Sequence, residues 1–358
     1  MRSTLIIGAG IIGASLAVRL ARAGDRVTVL DAGSASGGAT GASFGWINAS
    51  FFRNRDHFLL REDGIAAWHR LEAETGPLPI RWSGCLWWED QGAEFDAFHT
   101  SLTELGYPAE RLDRSTFSQL EPAIAAPPEQ ALRLPDEGAA DAAQVAQMLL
   151  ARAVDYGAAV FTGVSVTGIE PRGTGPCRVL TAQGPLEADR VVIAAGTGVQ
   201  DLLMPLGVDL PMLRRPGVMV TTRPVAPLLS HVLVAPGQEL RQLADGRILA
   251  PTSAKHQEDD TSDIVEPLAD LAEQTMGRLR ALLPGVDLQV ETTTLAMRPV
   301  PGDGLPVVGP AGPEGVYTCV MHSGVTLAAA VAELVTRELT GEGAQNRLGP
   351  YRIDRFSA

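Results

Sequence analysis

The sequence predicts an α/β fold in which a mostly parallel sheet is interleaved with a mostly antiparallel sheet. Two observations carry this prediction. A buried strand, a glycine-rich turn and an amphipathic helix follow one another near residue 4 and again after residue 315, an arrangement typical of parallel sheets covered by helices. The chain between these two junctions contains short strands joined by hairpin signals, which favour antiparallel pairing.

The composition limits the classes of protein that fit. With 358 residues, the chain can bury a substantial core without metal ions or disulfides. Its formal charge of −13 comes from acidic residues spread along the chain, which argues against binding to nucleic acid or to an anionic membrane surface. The three cysteines, Cys85, Cys177 and Cys319, form no CxxC pair. No metal site is therefore predicted, and a reducing cytoplasm is the expected location.

The first elements form one Rossmann-like strand–helix–strand unit. An apolar strand over residues 4–7 runs into Gly8, Gly10 and Gly13, and a second strand after the helix ends at Asp31. In such a unit the glycines make the turn, admit a pyrophosphate and let the helix pack on the strand, while the acid binds ribose hydroxyls. The alternatives are a turn without a ligand and a signal-peptide core. The glycine spacing argues against both, and no later segment is long enough to span a membrane.

The segment over residues 33–49 is rich in Gly, Ala, Ser and Thr. A plain linker would explain this composition, but small residues also allow the backbone to approach a ligand closely. The hydroxyls of Thr40 and Ser43 are suited to bind a second stretch of phosphate or a sugar chain. A dinucleotide longer than NAD would need this second contact.

The middle of the chain is predicted to alternate between helices and strands. Helices are expected over residues 56–74, 95–105, 141–156 and 263–283, and a loop over 108–135. Strands are expected over 80–89, 159–161, 164–169, 178–181, 218–222, 239–243, 247–251 and 291–297, and a further strand over 190–198 runs into a glycine turn. This order predicts a nucleotide-binding domain of residues 1–76, 140–212 and 295–358, and a substrate domain of residues 77–139 and 213–294.

The C-terminal part holds the second junction. Arg298 and Pro299 precede a glycine- and proline-rich turn, and the strand over residues 315–320 is followed by His322, Ser323 and Gly324. An apolar helix is predicted from residue 326 to 339. The N-terminus of that helix carries partial positive charge, so it is a candidate site for a second electron-rich group.

Taken in order, these motifs resemble those of the FAD-dependent D-amino acid oxidase family, which includes glycine and sarcosine oxidases and D-amino acid dehydrogenases. The resemblance covers nearly the whole chain. It implies a two-domain FAD fold that oxidises a C–N bond of an amino or imino acid. It also implies that an arginine in the position of Arg298 binds the substrate carboxylate, and that the helix after Gly324 points its N-terminus at the flavin pyrimidine.

Three departures from the family pattern bear on the prediction. Sarcosine oxidase-like members attach the flavin to a cysteine where this chain has residues 295–298, which contain none, so noncovalent FAD is predicted. The residues after His322 lack the second substrate-binding arginine of glycine oxidase-like members. Trp46, Ile47 and Asn48 replace smaller residues of other members.

The predicted site joins these motifs. The predicted FAD-binding residues are Gly8, Gly10, Ile12, Gly13, Asp31, Thr40, Ser43, Val164, Gly196, Ser323, Gly324, Val325 and Thr326. Arg298 and His322 are the predicted catalytic-site residues: Arg298 binds a carboxylate rather than forming a surface or structural ion pair, and His322 packs or hydrogen-bonds beside the flavin rather than acting as a base. The residues expected at the surface are His57, His69, His99 and Lys255.

The leading functional prediction is a cytoplasmic FAD-dependent oxidoreductase. It oxidises a small amino or imino acid to an imine by hydride transfer to flavin N5, a reaction that needs positioning and electrostatics but no obligatory base. The alternatives are oxidation of a 2-hydroxy acid or polyol on the same fold, and a flavin-binding subunit without activity of its own. The electron acceptor, oxygen or another compound, and a homo-oligomeric state are left open.

Overall fold

The computed structural model describes residues 2–173, 175–253, 261–343 and 347–356, so Lys255 lies outside the described residues. Within that part of the chain the α-helices are α1 (Ile11–Arg22), α2 (Arg55–Thr75), α3 (Ala93–Glu104), α4 (Arg114–Leu120), α5 (Ala142–Asp155), α6 (Val199–Leu203), α7 (Leu268–Leu282) and α8 (Gly324–Thr340). The strands are β1 (Ser3–Ile7), β2 (Arg26–Asp31), β3 (Trp46–Ile47), β4 (Ile80–Arg81), β5 (Cys85–Trp87), β6 (Glu110–Asp113), β7 (Gln130–Leu134), β8 (Gly138–Ala140), β9 (Ala159–Thr162), β10 (Val166–Arg172), β11 (Gly175–Thr181), β12 (Leu186–Ala188), β13 (Arg190–Ile193), β14 (Met212–Leu213), β15 (Pro216–Thr222), β16 (Val232–Ala235), β17 (Gln238–Gln242), β18 (Ile248–Pro251), β19 (Val290–Met297), β20 (Val300–Pro301), β21 (Val307–Pro310) and β22 (Val316–Val320).

The first large sheet is mostly parallel. Its strands lie in the order β21-β22-β13-β1-β2-β9, and β22 through β9 pair in parallel while β21 runs antiparallel. One face packs against α1, α5 and α8, and the other against α6 and the small sheet β10-β11-β12. Because both faces are covered, β1, β13 and β22 are buried at every residue rather than at alternate ones.

The second large sheet is mostly antiparallel. Its order is β19-β15-β18-β17-β16-β5-β7-β6, and of these pairs β16 and β5 run parallel. Helices α4 and α7 pack on this sheet and form a separate hydrophobic core with it. The predicted fold class, a Rossmann-like parallel sheet interleaved with a mostly antiparallel one, is confirmed.

Helix boundaries follow local capping chemistry. The Asn54 side chain accepts the His57 N–H at 2.9 Å at the start of α2, and Asp141 accepts the Gln144 N–H at 3.1 Å at the start of α5. These bonds satisfy backbone donors that have no partner inside the helix. Gly76, with φ of 96°, ends α2 where the Gly-Pro signal predicts.

Three predicted elements are wrong in extent. The single strand over 80–89 is two strands, β4 and β5, in different sheets, because Gly84 adopts φ of 82° and turns the chain between them. The predicted loop over 108–135 contains β6, α4 and β7, which extend the edge of the antiparallel sheet. The helix predicted to start at 263 starts at Leu268, after Pro267.

Candidate functional site

One cavity of about 550 Å³ joins the two large sheets. The turns that follow β1, β13 and β22 open into it, and so do residues of β15 and β19 from the antiparallel sheet. In open α/β sheets ligands bind beyond the carboxyl ends of the strands. Both glycine junctions predicted from the sequence face this one cavity.

The first junction is built by backbone contacts that exclude side chains. Gly8 adopts φ of 114°, and a Cβ there would stand 2.3 Å from the Ala194 carbonyl oxygen. Gly10 and Ile12 line the cavity, whereas Gly13 packs against the turn. At Gly8 and Gly10 the turn after β1 thus brings backbone to the cavity wall.

The polar side chains near this turn support it directly. Asp31 Oδ2 accepts the Ala9 N–H at 2.7 Å, and Asp31 Oδ1 accepts the Gly33 N–H at 2.8 Å. A carboxylate has about four acceptor positions, so Asp31 can still accept a hydroxyl from the cavity that it lines. Val164 donates its N–H to the Asp31 carbonyl oxygen and is not one of the cavity-lining residues.

The segment after β2 is more than a linker. Thr40 Oγ1 accepts the Ile11 N–H at 3.0 Å, at the first residue of α1. Ser43 Oγ accepts the Gly45 N–H at 3.0 Å. Both side chains line the cavity, together with Gly196 in the turn after β13. The hydroxyls predicted to meet a ligand therefore also hold the N-terminal end of α1 and the start of β3.

The second junction differs from the expected turn in one residue. The left-handed conformation falls on Ser323, with φ of 56°, and α8 begins at Gly324 rather than at Thr326. Gly324 itself has an ordinary helical φ, and a Cβ there would meet Ile12 Cδ1 at 3.6 Å, a normal contact. The protein alone therefore does not require glycine at 324, where the backbone faces the cavity together with Val325 and Thr326.

The start of α8 is tied to the segment that contains β3. Thr326 Oγ1 donates to the Trp46 carbonyl oxygen at 3.2 Å and accepts the Asn48 N–H at 3.3 Å. Gly64 of α2 packs on the Thr326 carbonyl, where a Cβ would come within 2.5 Å. These contacts hold the first turn of α8 between β3 and α2.

Arg298 and His322 both line the cavity. Arg298 follows β19, and its Nε and Nη2 donate to the carbonyl oxygens of Arg215 at 3.4 Å and Pro216 at 3.2 Å. These bonds fix the guanidinium at the start of β15. His322 is exposed, and its Nδ1 lies 3.2 Å from Ser323 Oγ, which agrees with a hydrogen-bonding residue at this turn.

Two charged or polar residues of α2 that line the cavity were missed by sequence reasoning. Arg61 is 3% exposed and His57 is 5% exposed, so the expectation of a surface His57 is wrong. Burial, followed by the nearby charges of Arg61, His322 and Arg53, lowers the pKa of His57 to about 3. The available signal was spacing: residues 57, 61, 64 and 68 form one face of α2, and that face is buried.

The buried carboxyl group of Glu137 holds the segment that forms this part of the cavity wall. Glu137 accepts hydrogen bonds from Trp46 Nε1 at 2.9 Å, Tyr107 Oη at 3.1 Å and the Ser50 N–H at 3.4 Å. Burial raises the pKa of Glu137 to about 7. Glu137 thereby fixes the chain on both sides of Asn48, which is the residue that contacts Arg61.

The described residues contain no group of three or more His, Cys, Asp or Glu side chains placed to hold a metal ion. In the same part of the chain, no helix has the length and apolar character needed to cross a membrane.

Comparisons with known proteins agree with the geometry. The family model for FAD-dependent oxidoreductases, abbreviated DAO, matches residues 3–338. A glycine oxidase of Pseudomonas putida is 27% identical over 357 residues, covering 95% of each chain. A D-amino acid dehydrogenase of Rhodopseudomonas palustris is 26% identical over 402 residues, covering 94% of this chain and 93% of the relative. The crystal structure of glycine oxidase from Geobacillus kaustophilus superposes over the full length of both chains with a TM-score of 0.88 at 23% identity.

Proposed function

This chain belongs to the family of FAD-dependent oxidoreductases, and we propose that it oxidises the C–N bond of a small amino or imino acid to an imine. In this oxidation the substrate would lose a hydride from Cα and release a proton from the amine nitrogen to solvent as the C=N bond forms, and water would then hydrolyse the imine to an oxo acid and ammonia or an amine. FAD supplies the hydride acceptor in this reaction. The resemblance inferred from the ordered motifs is confirmed by the family match.

The cavity suits FAD at two separate places. At the first junction, Gly8 and Gly10 present backbone in a turn where side chains are excluded, as a pyrophosphate beside a helix N-terminus requires. At the second junction, the N-terminal turn of α8 offers unpaired N–H groups and partial positive charge to an electron-rich ring edge. A cofactor with both a pyrophosphate and an electron-rich ring, as FAD has, fits this pair of junctions.

The flavin is proposed to be held without a covalent bond. The cysteines Cys85, Cys177 and Cys319 are all buried, and burial raises the pKa of the Cys85 and Cys319 thiols. The thiolate is the reactive form of cysteine, so the raised pKa disfavours attachment to the cofactor even at Cys319, which lines the cavity.

Arg298 is the residue proposed to bind the substrate carboxylate, and its position is the observation that carries the proposal. Its guanidinium lines the same cavity as both glycine junctions and is fixed by two backbone carbonyls. A planar guanidinium can bind both carboxylate oxygens at once and so orient the substrate. This orientation is what places a Cα–H bond for transfer.

The other residues that line the cavity provide apolar surface and N–H groups that stabilise negative charge. Trp46, Phe51, Phe52 and Met219 line the cavity with apolar surface, which strengthens electrostatic interactions inside it. The backbone N–H groups at the start of α8 stabilise negative charge that develops on an electron-rich group beside them. The chain thus supplies position, exclusion of water and electrostatic stabilisation.

An anaerobic screen of the flavin-loaded protein tests this function. Amino acids, N-methylated amino acids and 2-hydroxy acids are added separately, and loss of flavin absorbance is followed. We expect bleaching by at least one amino or imino acid. Bleaching by hydroxy acids alone would contradict the proposal, and bleaching by no compound would favour a flavin-binding subunit without its own activity.

A further inference from the structure

His57 and Arg61 lie one helical turn apart on α2 and line the substrate cavity. We call these two residues the donor pair. They belong to neither glycine junction, and they reach the cavity from a different element than Arg298, which follows β19. Arg298 and the donor pair thus offer the cavity two separate sets of N–H donors.

Arg61 carries a positive charge whose hydrogen bonds are incompletely used. Its Nε donates to the Asn48 carbonyl oxygen at 3.0 Å, and its Nη2 donates to Asn48 Oδ1 at 2.5 Å. Across the described ranges, Nη1 has no hydrogen-bond partner and no carboxylate lies within 4.0 Å of the guanidinium. Glu137 is the nearby acid, but its hydrogen bonds go to Trp46, Tyr107 and Ser50.

Such burial is costly for the fold alone. A buried charge without an ion-pair partner loses hydration that two bonds to an amide side chain and a carbonyl do not fully replace. Burial lowers the pKa of Arg61 to about 10, so the guanidinium still carries its charge at neutral pH. An anion that enters the cavity would find this charge desolvated and already oriented.

His57 adds a second unused donor. Its Nδ1 accepts the Arg53 N–H at 3.3 Å, which places the proton of the neutral ring on Nε2. Among the described residues, Nε2 is buried without a hydrogen-bond partner. One face of α2 therefore lines the cavity with a charged, incompletely bonded guanidinium and with a histidine whose unpaired Nε2–H lies just below the accessible surface.

We propose that the donor pair binds a second anionic group of the substrate, so that the preferred substrates are dicarboxylic amino or imino acids. This rests on the proposed function, in which Arg298 binds the first carboxylate. A second carboxylate would accept a hydrogen bond from Arg61 Nη1 and, after a small rotation of the imidazole toward the cavity, from His57 Nε2. A neutral side chain would leave the Arg61 charge without an anionic partner and the buried His57 Nε2 unpaired, and such mismatches discriminate strongly between related substrates.

Substrate pairs of equal shape test this specificity. Aspartate and glutamate are compared with asparagine and glutamine, as both enantiomers, by anaerobic reduction of the flavin-loaded protein. Because a hydrogen bond to a charged group contributes about 1.5–3 kcal/mol, we expect the acids to react roughly 10- to 150-fold more efficiently than the amides. Equal efficiency for acid and amide would overturn the proposal.

The variant Arg61→Met removes the charge and keeps an unbranched side chain. We expect its loss of efficiency to be roughly tenfold or more larger for the acid than for the amide. Arg70→Met is the matched control, since Arg70 lies on the same helix but is exposed and bonds Glu333, and it should keep the parent's ratio. Equal losses for acid and amide in Arg61→Met would overturn the proposal.

Ligand binding without turnover separates this proposal from the proposed function. Succinate and butyrate are titrated into the flavin-loaded protein, and perturbation of the flavin absorbance is recorded. Tighter binding of succinate, lost in Arg61→Met and weakened in His57→Phe, would support the donor pair even if no amino acid bleaches the flavin. Equal binding of succinate and butyrate by the parent protein would contradict it, whether or not either variant folds.

Discussion

The carbonyl oxygen of Gly8 lies 1.9 Å from the point where a Cβ would stand on Gly13. Helix propensity alone would make alanine at residue 13 about 1 kcal/mol more stabilising than glycine. The clash with the Gly8 carbonyl oxygen makes alanine destabilising instead. We expect Gly13→Ala to lower the free energy of unfolding by roughly 1–3 kcal/mol and to reduce flavin content. Thermal unfolding and the flavin-to-protein absorbance ratio measure both effects.

Gly277→Ala is the control for this variant. Gly277 is a helical glycine of α7 that does not line the cavity, and an added Cβ would meet no atom within 4 Å. It should load flavin like the parent and be at least as stable. If Gly13→Ala behaves the same way, the glycine spacing does not act through helix packing.

Arg298→Ala should keep its flavin and lose substrate affinity. Removing a charge-assisted contact of two hydrogen bonds costs about 2–3 kcal/mol, or roughly 30- to 150-fold in kcat/KM. Arg298→Lys should recover part of this loss, because an ammonium group lacks the planar fork. Steady-state kinetics with the best substrate from the anaerobic screen provide the measurement.

Arg280→Ala removes an exposed arginine that pairs with Glu273 on α7, and it should retain parental kinetics. Parental kcat/KM in Arg298→Ala would show that the carboxylate is bound elsewhere.

Gly324→Val tests the N-terminus of α8. The protein tolerates a Cβ at this position, so the fold should survive while the new methyl groups occupy cavity space beside the flavin. Because α8 would then stabilise the anionic reduced cofactor less well, we expect a lower reduction potential and weaker formation of a sulfite adduct.

The comparison is Gly277→Val, at an exposed helical glycine of α7 with no atom near its added Cβ. Both variants lose a helical glycine to a β-branched residue, and Gly324→Val alone changes the cavity. An unchanged potential in folded, flavin-loaded Gly324→Val would remove α8 from the mechanism.

His57 predicts an acid-dependent loss of stability. Its pKa is about 3 in the fold, below the ordinary value of 6.5. Above pH 6.5 His57 is neutral in both the folded and the unfolded chain, so its protonation does not change the free energy of unfolding. As the pH falls below 6.5, the unfolded chain binds a proton that the fold excludes, and the free energy of unfolding decreases by about 1.4 kcal/mol per pH unit.

The variant His57→Gln should therefore lose less stability than the parent between pH 7 and 5, as measured by denaturant unfolding. The charged and titratable groups facing His57 are Arg61, Arg53 and His322, and all three remain in the variant. If the free energies of unfolding of His57→Gln and the parent decrease equally between pH 7 and 5, His57 is not a buried neutral histidine.

The flavin should separate from the chain on denaturation. Acid precipitation is expected to leave a yellow supernatant and a colourless pellet, because the buried thiols Cys85 and Cys319 have raised pKa values. Absorbance of both fractions is the measurement. Flavin retained in the washed pellet would establish a covalent bond and exclude noncovalent binding.

Local rules were sufficient for the elements that carry the first and second junctions. Apolar strands, glycine spacing and helical periodicity are encoded within about 30 residues in a strand–helix–strand unit. They failed at residues 108–135, where proline and acidic residues suggest a loop. There β6 and β7 are stabilised by pairing with each other and with β5, a tertiary effect that local composition does not contain.

The site was predicted in part for the same reason. The motifs bring Arg298, His322 and the glycine turns to one cavity, as the order of strands in an α/β sheet predicts. Arg61 was not predicted as a site residue, because charged residues are ordinarily expected at the surface. Its burial follows from the packing of α2. The domain limits, the cytoplasmic location and the homo-oligomeric state stay predictions.

The strand order of the parallel sheet also means that paired strands are synthesised far apart in time. Strand β1 is synthesised shortly before β2, with which it pairs on one edge. Its other edge pairs with β13, at residues 190–193, and β13 pairs in turn with β22, which is synthesised later still. A nascent chain that ends before β13 therefore exposes an apolar strand edge, a template for intermolecular pairing. Truncated chains that lack β13 should therefore aggregate more readily than the full chain.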